Sequence, residues 1–427
     1  MTRKRSAVEI STLPNGLRVV TRMMPERSSV ALGFWVATGS RHESLRENGS
    51  AHFIEHMLFK GTLKRSPKEI SQAVEGLGGY LNAFTGEEST CYYARARYDH
   101  LDRLFDVLSD MTLNSRFDPA DFQKEREVIK EEVSMYLDQP QHHVQELLNE
   151  VSWPDHPLGR PLAGTHKTLD TLKREDLLGF QKRCYTSGSI LVAAAGNVDH
   201  AAVVQSLERI ARKFNPSPAP KFEPVRPVQP GPQIRFLTKK TEQCQLAFGF
   251  KSFARNDPRR YALRLLNVAL GENMSSRLFQ TIREDRGLAY AVSSSVNTFQ
   301  DTGSFVITAG LDEANLSKAV RLILAEIRGI CSHPIPRAEL QRARDYAVGQ
   351  FELGLESTEN QMNWIAEQVL AYDRIQPERT TISRLSRVSA AEIQAVARDL
   401  FQAAHARLAV ISPAKQPATL KRMLAKL

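Results

Sequence analysis

NPSPAPKFEPVRPVQPGP, residues 215–232, carries seven prolines in 18 positions. Proline lacks a backbone N–H and has a fixed φ, so this stretch forms neither a regular helix nor a central strand. It reads as an extended spacer. The spacer divides the 427 residues into 1–214 and 233–427, each long enough for a domain with its own core.

The two halves repeat one order of elements. In the first, a strand-like segment from Ser29 to Ala37 precedes a helix that carries His52. A glycine turn at Gly76 to Gly79 follows, then apolar strands through Ala96, a helix from Asp99 to Thr112, and a long helix opened by Phe117-Asp118-Pro119. In the second, Leu246 to Phe253 is the strand, Gly287 to Ser295 and Ser304 to Ala309 repeat the strand pair, Leu316 to Ile330 repeats the helix, and Pro336 opens another. Short connections between strands favour antiparallel pairing. The expectation is an α+β fold of two similar lobes built by duplication, each a mostly antiparallel sheet packed with helices. Local signals fix some ends. Ser66-Pro67-Lys68-Glu69 has a cap residue, proline at the first helical position and glutamate at the third. The helix after Asp118-Pro119 runs to about Leu137, before Asp138-Gln139-Pro140 stops it.

Bulk composition narrows the function classes. Apolar residues make up 42% and charged residues 25%, as in ordinary globular proteins. No apolar run approaches the ~20 residues that span a bilayer. Arg3, Lys4 and Arg5 lie within Met1 to Ser6, but Val8 to Asn15 mixes charge, polar residues and proline where a leader needs an apolar run. A cytoplasmic protein is expected. Cys91, Cys184, Cys244 and Cys331 form no CxxC pair, which argues against a disulfide framework or a cysteine zinc site. The net charge of +9 is dispersed, with Lys and Arg alternating with acids along stretches such as Lys124 to Glu132. A solvated basic surface explains it better than a nucleic-acid stripe.

Chemistry concentrates at His52-Phe53-Ile54-Glu55-His56. On a helix, residues four apart share a face, so both imidazoles can reach one ion, with Glu55 beside them. A catalytic zinc site takes three protein ligands and keeps one position open. The third ligand is then sought on the glutamate-rich helix after Pro119. The competing reading is a surface helix with two solvated histidines.

The surrounding stretch, Asn48 to Thr62, is NGSAHFIEHMLFKGT. It resembles the inverted zinc motif H-x-x-E-H of the pitrilysin/insulinase family of metallopeptidases. Trp35-Val36-Ala37-Thr38-Gly39-Ser40-Arg41 resembles the family's approach strand, and Asn82-Ala83-Phe84-Thr85 its substrate-facing edge strand. Glu125 to Glu132 resembles its second metal helix, and Pro157-Leu158-Gly159-Arg160 and Gly164-Thr165 also match. In the family the third ligand follows the second histidine by about 76 residues; Glu132 follows His56 by 76, which favours it over Glu131. The resemblance therefore implies one Zn2+ per chain on His52, His56 and Glu132, Glu55 as catalytic base, and Glu125 supporting the site from behind. Cobalt or manganese would also suit such ligands in vitro.

The second half has no histidine between His200 and His333 and so no metal helix. Matching the long helices sets Ala343 opposite Glu125 and Gln350 opposite Glu132. Arg283 and Tyr290, seven residues apart, resemble the family's arginine–tyrosine pair, which contacts the substrate main chain near the scissile bond; Ala289 stands where long members carry glycine. A helix-end arginine and a packed tyrosine are the plainer account. The resemblance implies a zinc endopeptidase for extended peptides or unfolded presequence-like segments, held in a chamber between lobes. It also implies a homodimer with sites shared between chains, or a heterodimer with an inactive paralogue. A metal-free structural subunit, a zinc- or peptide-binding module and a nucleic-acid binder are the rivals; intact His52, Glu55, His56 and Glu132 argue against the first two.

Overall fold

The computed structural model describes residues 8–226 and 230–426. The expectation for Met1 to Ser6 lies outside these. The described part of the proline-rich stretch holds no helix or named strand, as its prolines require.

Six strands form one sheet: β1 (Val8–Thr12), β2 (Arg18–Met23), β3 (Ser29–Val36), β4 (Tyr80–Thr85), β5 (Thr90–Arg97) and β6 (Ile190–Gly196), in the order β1-β2-β6-β3-β5-β4. Five form another: β7 (Gln233–Thr238), β8 (Cys244–Ser252), β9 (Ala289–Thr298), β10 (Gly303–Leu311) and β11 (Ala406–Ser412), in the order β7-β11-β8-β10-β9. Without β1 the two orders are the same. Each sheet is antiparallel except for one pair, β2 with β6 and β7 with β11, at equivalent places. The fold is α+β with two similar, mostly antiparallel lobes packed with helices.

The compact units interleave along the chain. One comprises residues up to 134 with 161–223 and 353–375; the other comprises 135–160, 224–352 and 376–427. Each sheet takes a covering helix from the other half of the sequence. Met362, Ile365, Ala366 and Val369 of the helix Thr358–Tyr372 pack with Ala31, Trp35 and Leu191 of the first sheet. Val144, Leu147 and Leu148 of the helix Pro140–Ser152 pack with Ala247, Val306 and Ala409 of the second. Two equivalent glycines admit these helices. A Cβ on Gly33 of β3 would lie 2.8 Å from Met362 Sδ, and one on Gly249 of β8 would lie 3.0 Å from the Leu148 methyls. The division of the sequence at the spacer gave no hint of this exchange. Apolar periodicity says that a helix needs a partner face, not which face it finds.

The opposite faces bury the rest of each core. In the first lobe the helix Leu101–Asn114 covers β3 and β5, with Phe34 and Phe105 rings 5.4 Å apart. In the second, Phe248, Phe250 and Phe305 pack with apolar side chains of the helices Arg260–Asn267, Leu316–Ser332 and Ala390–Leu400.

Candidate metal centre

The helix Ser50–Leu58 carries the motif, and its start is built by neighbours. Gly49, its N-cap, has φ 98°, in the left-handed region; a Cβ there would also lie 2.9 Å from Ala163 O. Gly164 approaches from the other side with φ 81°, and its Cβ would lie 2.9 Å from Asn48 O. That mutual approach gives Gly164-Thr165 a physical reason. The buried Glu43 carboxylate accepts from Gly49 N at 2.9 Å and Ala51 N at 2.7 Å. It satisfies donors that a helix start leaves orphaned and places negative charge at the positive dipole end.

The second helix, Pro119–Asp138, is held against the first by Phe53 and Phe122, whose rings stack 4.8 Å apart. The result gathers His52, His56 and Glu132. The two imidazole centroids are 4.7 Å apart, and Glu132 Oε2 lies 3.8 Å from His52 Nε2 and 3.6 Å from His56 Nε2. Among the described residues this is the one group of three His, Cys, Asp or Glu side chains with donor atoms within 4.8 Å of one another.

The group fits a zinc ion. Three ligand atoms about 2.0–2.1 Å from a tetrahedral ion stand about 3.3–3.5 Å from each other, close to the spacings observed. They are too long for good hydrogen bonds. His52 is 8% exposed and its Nδ1 has no hydrogen-bond partner among the described residues. Burial, with His56 adding to it and Glu132 opposing, pushes the His52 imidazole down to about 4. It is therefore neutral at pH 7, the form that ligates a metal.

Glu125 lies behind His56. It is 5% exposed, and its Oε2 is 3.1 Å from His56 Nδ1 while Lys60 Nζ donates to Oε1 at 2.8 Å. Burial alone would raise its pKa; the His56 and Lys60 hydrogen bonds and the Lys60 charge outweigh that and hold the carboxyl low. A carboxylate in this place fixes which His56 nitrogen carries the proton and leaves Nε2 for an ion. Glu55 is raised instead, chiefly by burial, with Glu132 adding, against a hydrogen bond from Thr85 and the charge of His56.

Asn82, Ala83, Phe84 and Thr85 form most of β4, the edge strand of the first sheet. Tyr80, Asn82 and Phe84 are exposed while Leu81, Ala83 and Thr85 are half-buried. Phe84 packs edge-on to Trp35 at 5.3 Å. The turn after β4 is pinned: Arg41, 1% exposed, pairs with Glu88 at 2.6 Å and stacks on Phe222 at 4.0 Å. A Cβ on Gly39 would strike Gly86 O.

Arg283 and Tyr290 come together in the second lobe. Arg283 lies in a π-helical turn, Phe279–Glu284, with its guanidinium 4.8 Å from the Phe279 ring centroid and 5.3 Å from that of Tyr290. Tyr290, on the edge strand β9, is 76% exposed. Sequence reasoning missed Glu43 and Lys60. Lys60 had a signal, standing four residues after His56; Glu43 had none, because it acts across a turn. A cavity of about 830 Å3 lies in the second lobe between Tyr261, Arg384 and Val396, but among the described residues no cluster of three potential metal ligands lies there. Among the described residues no helix is long and apolar enough to cross a membrane.

Known proteins bear on this geometry. Residues 18–166 match the family model described as Insulinase (Peptidase family M16), and 171–346 match that of the Peptidase M16 inactive domain. An uncharacterized zinc protease of Streptomyces coelicolor is 37% identical over 414 residues, covering 96% of this chain and 90% of that protein. The uncharacterized zinc protease YmxG of Bacillus subtilis is 36% identical over 404 residues, covering 94% and 97%. In fold, the chain is similar to a protease from Helicobacter pylori, with TM-score 0.89 at 22% identity, covering 96% of this chain and all of that one. Full-length likeness to such relatives, joined to family matches in both halves, shows that the chain belongs to the insulinase family of peptidases, family M16.

Proposed function

We propose that this peptidase is a zinc-dependent endopeptidase, one zinc per chain, that hydrolyses extended peptides or unfolded presequence-like segments. The observation that carries the reading is the convergence of His52, His56 and Glu132 with Glu55 one residue from His56. The name zinc protease borne by relatives supports the choice of metal.

His52, His56 and Glu132 would hold the ion, and Glu125 would keep His56 oriented. Bound zinc supplies a Lewis acid and a water of lowered pKa. Glu55 takes the proton of the attacking water and hands it to the departing amine. Its burial and consequent raised pKa suit both acts. The free side of β4, Asn82 to Thr85, accepts a substrate main chain as an added strand. Main-chain pairing tolerates varied side chains but demands an extended substrate. Tyr290 donates to the developing oxyanion, and Arg283 grips the peptide main chain.

One chain carries both sets of residues. A homodimer with composite sites, each drawing its metal group from one copy and its Arg283 and Tyr290 from the other, is the assembly we favour over pairing with an inactive paralogue.

Cleavage of a quenched fluorescent peptide library tests the reading. The purified protein cuts unfolded peptides, a chelator abolishes cleavage, and added zinc restores it. Zinc-loaded protein that cuts nothing would make the chain a binding or structural relative.

A further inference from the structure

We propose that Thr85 is a positioning residue for the base: its hydroxyl orients the Glu55 carboxylate while its main chain ends the strand on which the substrate pairs. This inference rests on the peptidase reading above. The Thr85 hydroxyl donates to Glu55 Oε2, and among the described residues that is the one hydrogen bond the Glu55 carboxylate makes. The other carboxylate oxygen is left for the proton of water.

The placement follows from strand geometry. Side chains alternate along β4, so Asn82 and Phe84 point to the exposed side while Ala83 and Thr85 turn inward. Thr85 is the last residue of the strand and pairs with Thr90 of β5, which leaves the outer side of its main chain free. Beyond it the turn is fixed by three backbone hydrogen bonds. Gly86 N donates to Ser89 O at 2.8 Å, Ser40 N to Gly86 O at 3.2 Å, and Arg41 N to Glu87 O at 2.8 Å. The buried Arg41–Glu88 pair ties the same turn to the short helical turn, Ser40–His42, that follows β3. Threonine is β-branched and stiff at χ1. Its hydroxyl therefore points where the strand sends it, with little freedom to lose. A substrate strand added along β4 presses on the residue that aims the base, so alignment of peptide and base is set in one place. No other side chain of the edge strand reaches Glu55 by a hydrogen bond among the described residues.

The test is steady-state kinetics on a peptide substrate for Thr85→Val, Thr85→Ser and Glu55→Gln, with zinc content and melting temperature measured on each. Valine keeps the shape and branching and removes only the hydroxyl. Misaligning a catalytic group by about 1 Å costs about 100-fold. We expect Thr85→Val to lose about 10- to 100-fold in kcat, with KM within about threefold, and to retain zinc and melting temperature. Thr85→Ser should recover most of the kcat. Should Thr85→Val fold poorly, Thr85→Ala against Thr85→Ser makes the same comparison. The inference is overturned if Thr85→Val keeps its kcat while Glu55→Gln is dead, if serine does no better than valine, or if only KM moves. A zinc-loaded wild type that cleaves nothing overturns the peptidase reading and this inference together.

Discussion

His52 and Glu55 sit three residues apart on one helix, yet burial moves their proton affinities in opposite directions. Burial disfavours the charged form of each, which lowers an imidazole and raises a carboxyl. His42 behaves like His52: burial, with Arg41 adding, pushes it to about 4 against a hydrogen bond at Gly39. These shifts set a pH dependence for the metal-free protein. With folded values near 4 and an unfolded value of 6.5, each histidine binds its proton first in the unfolded chain as pH falls. Their contribution is complete above pH 6.5, shrinks between 6.5 and 4, and is gone below that. Each can cost at most about 1.4 kcal/mol per pH unit inside that window. Glu55 and Glu146, both raised by burial, work in the opposite sense, while His143 and His405, lowered chiefly by burial, add to the decline. Urea midpoints of chelator-treated protein should therefore fall from pH 7 to pH 4, and zinc should shift the decline to lower pH. A flat profile would contradict the burial of these rings. At this scale the sequence was legible where a residue acts within its own helix. Spacing put His52, Glu55 and His56 on one helix, and the family register pointed to Glu132 and Glu125; the structure groups His52 and His56 with Glu132 and sets Glu125 against His56. Glu43 was not, because a carboxylate reaching over a turn to cap a helix leaves no periodic trace.

Elements explain why the metal helix can stand where it does. Its N-terminus has no side-chain cap of its own; Gly49 turns left-handed and Glu43 takes the orphaned amides. Gly49→Ala would combine φ strain with a clash against Ala163 O. We expect a loss of about 1–3 kcal/mol in unfolding free energy and weaker zinc retention, read from urea denaturation and metal titration. Unchanged stability would mean that the turn relaxes freely. Capping was well read in advance at Ser66, where Ser66 N donates to Glu69 Oε2 at 2.7 Å and Glu69 N to Ser66 Oγ at 3.3 Å. The strand read at Gly287 to Ser295 is displaced: Gly287 has φ 57° and ends the preceding turn, and β9 runs from Ala289 to Thr298. The helices Pro140–Ser152 and Thr358–Tyr372 were beyond sequence reasoning as partners of the opposite lobe's sheet. What admits them is the missing side chain at Gly33 and Gly249, and a glycine inside a strand reads equally well as a bulge.

At the scale of the whole molecule, duplication is the organising fact. Two sheets share one strand order and one parallel pair, but among the described residues only the first lobe gathers three side chains able to hold a metal ion. The second keeps the scaffold and presents Arg283 beside an exposed Tyr290. If sites are shared between copies, inactive Glu55→Gln and Arg283→Ala proteins should complement when mixed and re-equilibrated. Random pairing then restores about a quarter of wild-type activity, since half of the dimers hold one intact site of two. No recovery would place both sets of residues in one chain's own site.

We propose that His52, His56 and Glu132 hold zinc while Glu55 moves the proton. The measurement that tests it most directly is zinc content and peptide turnover of wild type and Glu55→Gln side by side. We expect one zinc per chain in both, with turnover in the variant lower by about 10²–10⁴-fold. Zinc absent from the wild type, or a Glu55→Gln protein that cleaves as fast, would contradict it.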